Sequence, residues 1–161
     1  MEMAITDLVR SLENDLADFY ARIKGLSRFE ESKQLFQFME EQCRQHAKSA
    51  GEISGRHSVP GDFNLAGVIE VQARIMRTLF HEIIKEPDPL VVYRKLADGE
   101  ETIALLYRRI AEQYRSLSPD HRPAAEEFDR LAVEELGHRD AILKVAEKRR
   151  QEIEEKKPVA E

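Results

Sequence analysis

Apolar residues recur every three or four positions through most of this chain, and polar breaks divide the pattern into five amphipathic segments. Residues 3 to 26 carry Ile5, Leu8, Val9, Leu12, Leu16, Phe19, Tyr20, Ile23 and Leu26 on one face, which predicts a first helix. Ser27 and Glu30 form a capping-box pattern that starts a second helix, with Leu35, Met39, Cys43, His46, Ala50 and Ile53 on one face. Gly55 and the Val59-Pro60-Gly61 run stop it. From Asn64, taken as an N-cap, to Ile84 runs a less regular stripe of Val68, Ile75, Met76, Leu79 and Ile83, which predicts a crossover helix lying against the others.

Pro87-Asp88-Pro89 breaks the chain again, with Asp88 as N-cap and Pro89 at the first helical position, where a missing N–H costs nothing. The third principal helix starts near 89 and aligns Tyr93, Leu96, Ala97, Glu100, Ile103, Ala104, Tyr107, Ile110, Ala111 and Tyr114 before stopping in Ser116-Leu117-Ser118-Pro119. The fourth runs from about Pro123, with Phe128, Leu131, Ala132, Glu135, His138, Ile142, Val145 and Ala146 inward. Glu147 to Lys157 lacks an apolar stripe and is expected to be a solvated helical extension that frays. Phe36, Phe38, Met39, Met76 and Phe80 are core candidates by spacing, and His57, His81 and His121 are given no role.

Composition narrows the class. The 161 residues suit one domain spanning 1–161, with a core of about 3–150 and a charged tail at 151–161. Seven Gly, six Pro and no Trp, with 35% charged residues interleaved with Leu and Ala, predict an all-α protein. A net charge of −6 argues against a sequence-independent nucleic-acid binder, whose affinity would need a basic face. The single cysteine, Cys43, excludes an intrachain disulfide and suits a reducing compartment. With no signal-like region and no long uncharged stretch, the expectation is a cytoplasmic protein that does not enter a membrane.

Candidate chemistry lies where carboxylates interrupt the apolar stripes. Glu13 falls between Val9, Leu16 and Tyr20, Glu100 between Leu96 and Tyr107, and Glu135 between Leu131 and His138. A buried carboxylate needs a cation, an arginine or a proton. Glu101 and Glu134 sit roughly 100° around the helix from those positions and are expected to point to water. Two stretches share one design, a Glu seven residues before a Tyr and a His on the following helix: Glu13, Tyr20, His46, and Glu100, Tyr107, His138. Glu135 and His138 form Glu-x-x-His, whose side chains leave one helical face and can bind one ion or bridge two.

This combination resembles the ferritin-like superfamily, and within it the rubrerythrin-type di-iron proteins that lack a rubredoxin domain. The resemblance spans roughly residues 5 to 150 and implies a four-helix bundle of two helical hairpins joined by a long crossover containing a helix. It implies metal ligation by Glu13, His46, Glu100, Glu135 and His138, with Tyr20 and Tyr107 as outer partners of the carboxylates. There is one departure. The family pattern requires a bridging Glu three residues before His46, and that position is Cys43; Glu40 and Glu41 lie at the wrong helical angle to replace it.

The implied function is binding of iron, as one or two ions, with redox chemistry toward peroxide or dioxygen, in a homo-oligomer such as a dimer. An external electron donor is needed, because no Cys-x-x-Cys is present for a built-in rubredoxin. Two alternatives stay open. One is a scaffold or interaction bundle with a degenerate metal site, and the other is a structural zinc or mononuclear protein centred on His46, Glu135 and His138.

Overall fold

The structure, a computed structural model, describes residues 4–56 and 63–157. All its regular elements are helical: α1 (Ile5–Lys24), α2 (Lys33–Arg56), α3 (Phe63–Lys85), α4 (Pro89–Leu117) and α5 (Arg122–Glu155), with short 3₁₀ turns at Ser27–Ser32 and Pro119–His121. The apolar stripes explain the pairing. α1 lies along α2 and α4 along α5; α3 rests against α1 and α4, and α2 meets α5. No helix among the described residues is long and apolar enough to cross a membrane.

Several local expectations shift. Ser27 does not cap α2; Ser27–Ser32 is a 3₁₀ turn with Phe29 at φ −113° and ψ 17°. Phe29 is buried there against Phe36 and Tyr93, and Ser32 Oγ lies 2.5 Å from the Tyr93 hydroxyl, so packing and not capping sets the start of α2 at Lys33. α2 continues one residue past Gly55, to Arg56, while His57 and the Val59-Pro60-Gly61 run lie outside the described residues. α3 begins at Phe63, which places Asn64 inside its first turn instead of at the cap. Asp88 does cap α4, accepting a hydrogen bond from the Leu90 N–H at 2.9 Å. The solvated helical extension expected from Glu147 is present as regular helix to Glu155, where Arg150 pairs with both Glu147 and Glu154 at 2.7 Å.

Two assigned core residues face outward. Phe38 is 45% exposed, one helical step off the buried line of Met39, Cys43 and His46. Ile75 is 53% exposed, because α3 has neighbours on one side only and buries the narrow line Leu65, Ile69, Ala73, Met76, Phe80 and Ile83. Leu26, Leu35, Val68, Leu79, Val145 and Ala146 are only partly buried against the core. Aromatic packing lies on both sides of Glu100 along α4. Tyr93 joins Phe29 and Phe36 on one side, while Tyr107 and Tyr114 pack on Phe128 on the other. Both layers keep water from the interior between them.

Candidate metal centre

The five ionisable residues that interrupt the stripes are all buried: Glu13 on α1, His46 on α2, Glu100 on α4, and Glu135 and His138 on α5. They converge into two groups, Glu13–His46–Glu135 and Glu100–Glu135–His138, in each of which one ligand atom per residue lies within 4.8 Å of the others. Glu135 belongs to both. Its Oε1 is 2.7 Å from His46 Nδ1, and its Oε2 is 2.9 Å from His138 Nδ1. Glu13 Oε1 approaches His46 Nδ1 to 3.5 Å, and Glu100 Oε2 lies 3.9 Å from His138 Nδ1. The two imidazoles are nearly parallel, with ring centroids 5.5 Å apart.

The tyrosines cross between the hairpins. Seven residues along a helix span about 10 Å, too far for either tyrosine to reach the carboxylate of its own helix. Tyr20 on α1 donates instead to Glu100 on α4, and Tyr107 on α4 donates to Glu13 on α1. The exchange pairs α1 and α4 antiparallel about the centre. Burial and the nearby carboxylates push both phenols well above their ordinary range, so they remain neutral donors.

Among the described residues, Glu13 Oε2, Glu100 Oε2, Glu135 Oε1 and His46 Nδ1 are buried without a hydrogen-bond partner. The 2.7 Å approach of Glu135 Oε1 to His46 Nδ1 is an ionic contact whose angle does not make it a hydrogen bond. Unsatisfied buried oxygens around two inward imidazole nitrogens are costly alone, and a cation would satisfy them together. The residues therefore fit a metal ion.

Cys43 belongs to neither group. Burial first, and then the charges of Glu13, Glu100 and Glu135, push its thiol well above the ordinary range, so it stays a small neutral side chain in the core. Glu40 is engaged elsewhere, 2.6 Å from Lys24 Nζ and 3.2 Å from Arg44. Glu101 points outward as expected and pairs with Arg139 at 3.2 Å.

Glu134 does not. Its side chain is one-third exposed, and its Oε2 accepts from His46 Nε2 at 2.8 Å, while Oε1 accepts from Arg130. The 100° step that separates it from Glu135 turns it toward α2 and not toward bulk water. The sequence signal for it was only its place one residue before Glu135.

The electrostatics of the metal-free cluster favour bound protons. Burial and the charges of Glu13 and Glu100 push Glu135 up to about 8. Burial pulls both imidazoles down, but Glu13 and Glu135 outweigh it at His46, raised to about 11, as Glu100 and Glu135 do at His138, raised to about 9. Glu100 moves the other way: burial would raise it, yet His138, Glu135 and Tyr20 hold it below its ordinary value.

A raised folded pKa contributes stability in full below the unfolded value, 4.5 for Glu135 and 6.5 for the histidines, and that stability is lost as pH rises through about 8, 9 and 11. The melting temperature of the metal-free protein is thus expected to fall between about pH 7 and 10, while metal affinity, which requires those protons to leave, rises over the same interval. Thermal melts across pH with and without zinc check both signs, and a metal-free melting temperature that climbs with pH contradicts them.

No family model matches the sequence, and neither a curated protein nor a solved structure matches the chain.

Proposed function

We propose that the protein is an iron-binding, rubrerythrin-like member of the ferritin-like superfamily, with redox chemistry toward peroxide or dioxygen at the buried carboxylate–histidine centre. The observation that carries this is the convergence of Glu13, His46, Glu100, Glu135 and His138, in which Glu13 Oε2, His46 Nδ1, Glu100 Oε2 and Glu135 Oε1 have no hydrogen-bond partner among the described residues. Two helix pairs, α1 with α2 and α4 with α5, connected through α3, are what a four-helix bundle with a crossover requires. Iron held there would supply electron transfer to an oxidant. The three carboxylates would offset its charge and the two imidazoles would complete its ligand set, while Tyr20 and Tyr107 orient Glu100 and Glu13 through their hydrogen bonds.

Reduction of a hydrogen peroxide molecule to two waters takes up two electrons and two protons. One cysteine in the whole chain leaves no paired thiolates for a built-in rubredoxin, so an external reductant supplies the electrons. Anaerobic loading with ferrous iron, metal quantification and an optical spectrum before and after peroxide test the proposal. Bound iron that peroxide oxidises supports it; bound iron inert to peroxide argues against redox function.

A second reading follows from Cys43. A neutral thiol in place of a fourth carboxylate leaves three carboxylates, which suits a single zinc or other dication, and the grouped ligand atoms favour Glu13, His46 and Glu135 for it over the His46, Glu135 and His138 set expected from the sequence.

A further inference from the structure

We infer that the two halves of the centre are unequal: Glu13, His46 and Glu135 form the high-affinity position that takes the first ion, and Glu100, Glu135 and His138 form a weaker one. This rests on the metal-binding function proposed above. The difference lies outside the ligands. His46 Nε2 is 2.8 Å from Glu134 Oε2, so a carboxylate keeps a proton on Nε2 and makes the inward Nδ1 the nitrogen that an entering metal takes. Glu134 is fixed in turn by Arg130, and Arg130 is gripped at two nitrogens by Glu127, one of them at 3.0 Å. His46 is therefore held in the ligating orientation before a metal arrives, with a negative partner that strengthens it as a donor.

His138 has no such support. Its carboxylate contacts among the described residues are Glu100 and Glu135, both candidate ligands themselves. Its ring meets the partly exposed Phe38 ring at 89°, with centroids 5.8 Å apart, and a phenyl ring offers no acceptor for an imidazole N–H of comparable strength. The internal repeat shows why the support is one-sided. The residue one before Glu135 is Glu134, whereas the residue one before Cys43 is Gln42, a neutral amide.

The charge count points the same way. A first dication is offset by two of the three carboxylates; a second exceeds what three can offset and must share Glu135, so it binds against repulsion.

Anaerobic titration of the full chain with cobalt(II), followed by calorimetry and the visible ligand-field spectrum, tests the order. The expected result is a tight step followed by one at least about tenfold weaker. His138→Ala should abolish the weak step and keep the tight one with its spectrum, and His46→Ala should remove the tight step. Glu134→Gln, at a partly exposed position where the fold is not at stake, should weaken the tight step roughly tenfold or more and alter its spectrum. Two equal steps, a tight step that survives His46→Ala, or a tight step indifferent to Glu134→Gln would overturn the inequality. Binding of no cobalt at all would instead overturn the metal-centre function on which it rests.

Discussion

Glu135→Gln is expected to reduce affinity for iron or zinc by more than about 100-fold while leaving the metal-free fold intact, an unusual pairing of effects for a fully buried residue. Outer-shell partners alone account for about 10- to 100-fold in comparable sites, and Glu135 is a candidate ligand in both groups at once. Its two oxygens face the two histidines, so no other substitution in the cluster removes a ligand from each half. In the metal-free protein burial and the charges of Glu13 and Glu100 push this carboxyl up to about 8, so its charged form is already disfavoured there. Glutamine keeps the size and removes the charge, but it turns an NH2 toward one of the two histidine Nδ1–H groups, so a stability loss of about 1–3 kcal/mol is expected. Metal quantification and thermal melts of the purified variant decide the matter. Retained metal would show that Glu135 is not the shared ligand, and collapse of the metal-free fold would show that its role is structural.

Cys43→Glu should act in the opposite sense on the two forms. Adding a fourth carboxylate to an interior that already holds three leaves the metal-free protein with an uncompensated charge at a cost of roughly 3–5 kcal/mol. For a chain of this size that lowers the melting temperature on the order of 10 °C. With iron or zinc present the same carboxylate offsets cation repulsion, so stability should recover and stoichiometry should move toward two ions per chain. The comparison needs only melts and metal content with and without added metal. Destabilisation that metal fails to relieve would contradict a two-ion centre and leave the single-ion or scaffold alternatives standing.

The helices were legible because burial on one side leaves a 3.6-residue signature. α1, α4 and α5 begin within about two residues of where their stripes and breaks place them, and Asp88 caps α4 as its position before Pro89 predicts. The five candidate ligands were legible for a related reason: an ionisable residue on an apolar face stands out against its neighbours. All five are buried together. Weaker signals misled. Ser27 and Glu30 satisfy a capping pattern, yet burial of Phe29 bends the chain into a 3₁₀ turn instead. Phe38 and Ile75 share the apolar character of their helices, but each lies one residue from the buried line, where a 100° rotation is enough to reach solvent.

What the sequence determined by itself is therefore the inward line of each helix to within one residue, since that depends only on the period of the helix and the cost of burying a charge. Which inward group meets which was decided by tertiary structure. Tyr20 and Tyr107 each follow a glutamate by two helical turns in the sequence, and each bonds to the glutamate of the other hairpin, because α1 and α4 run antiparallel and bring those positions opposite one another. Glu134 reads as a surface charge from α5 alone, and it becomes the anchor of His46 only because α2 lies beside that edge of α5. A helical period specifies an angle about one axis; contacts between helices depend on the distance and direction of a second axis, which no single stripe encodes.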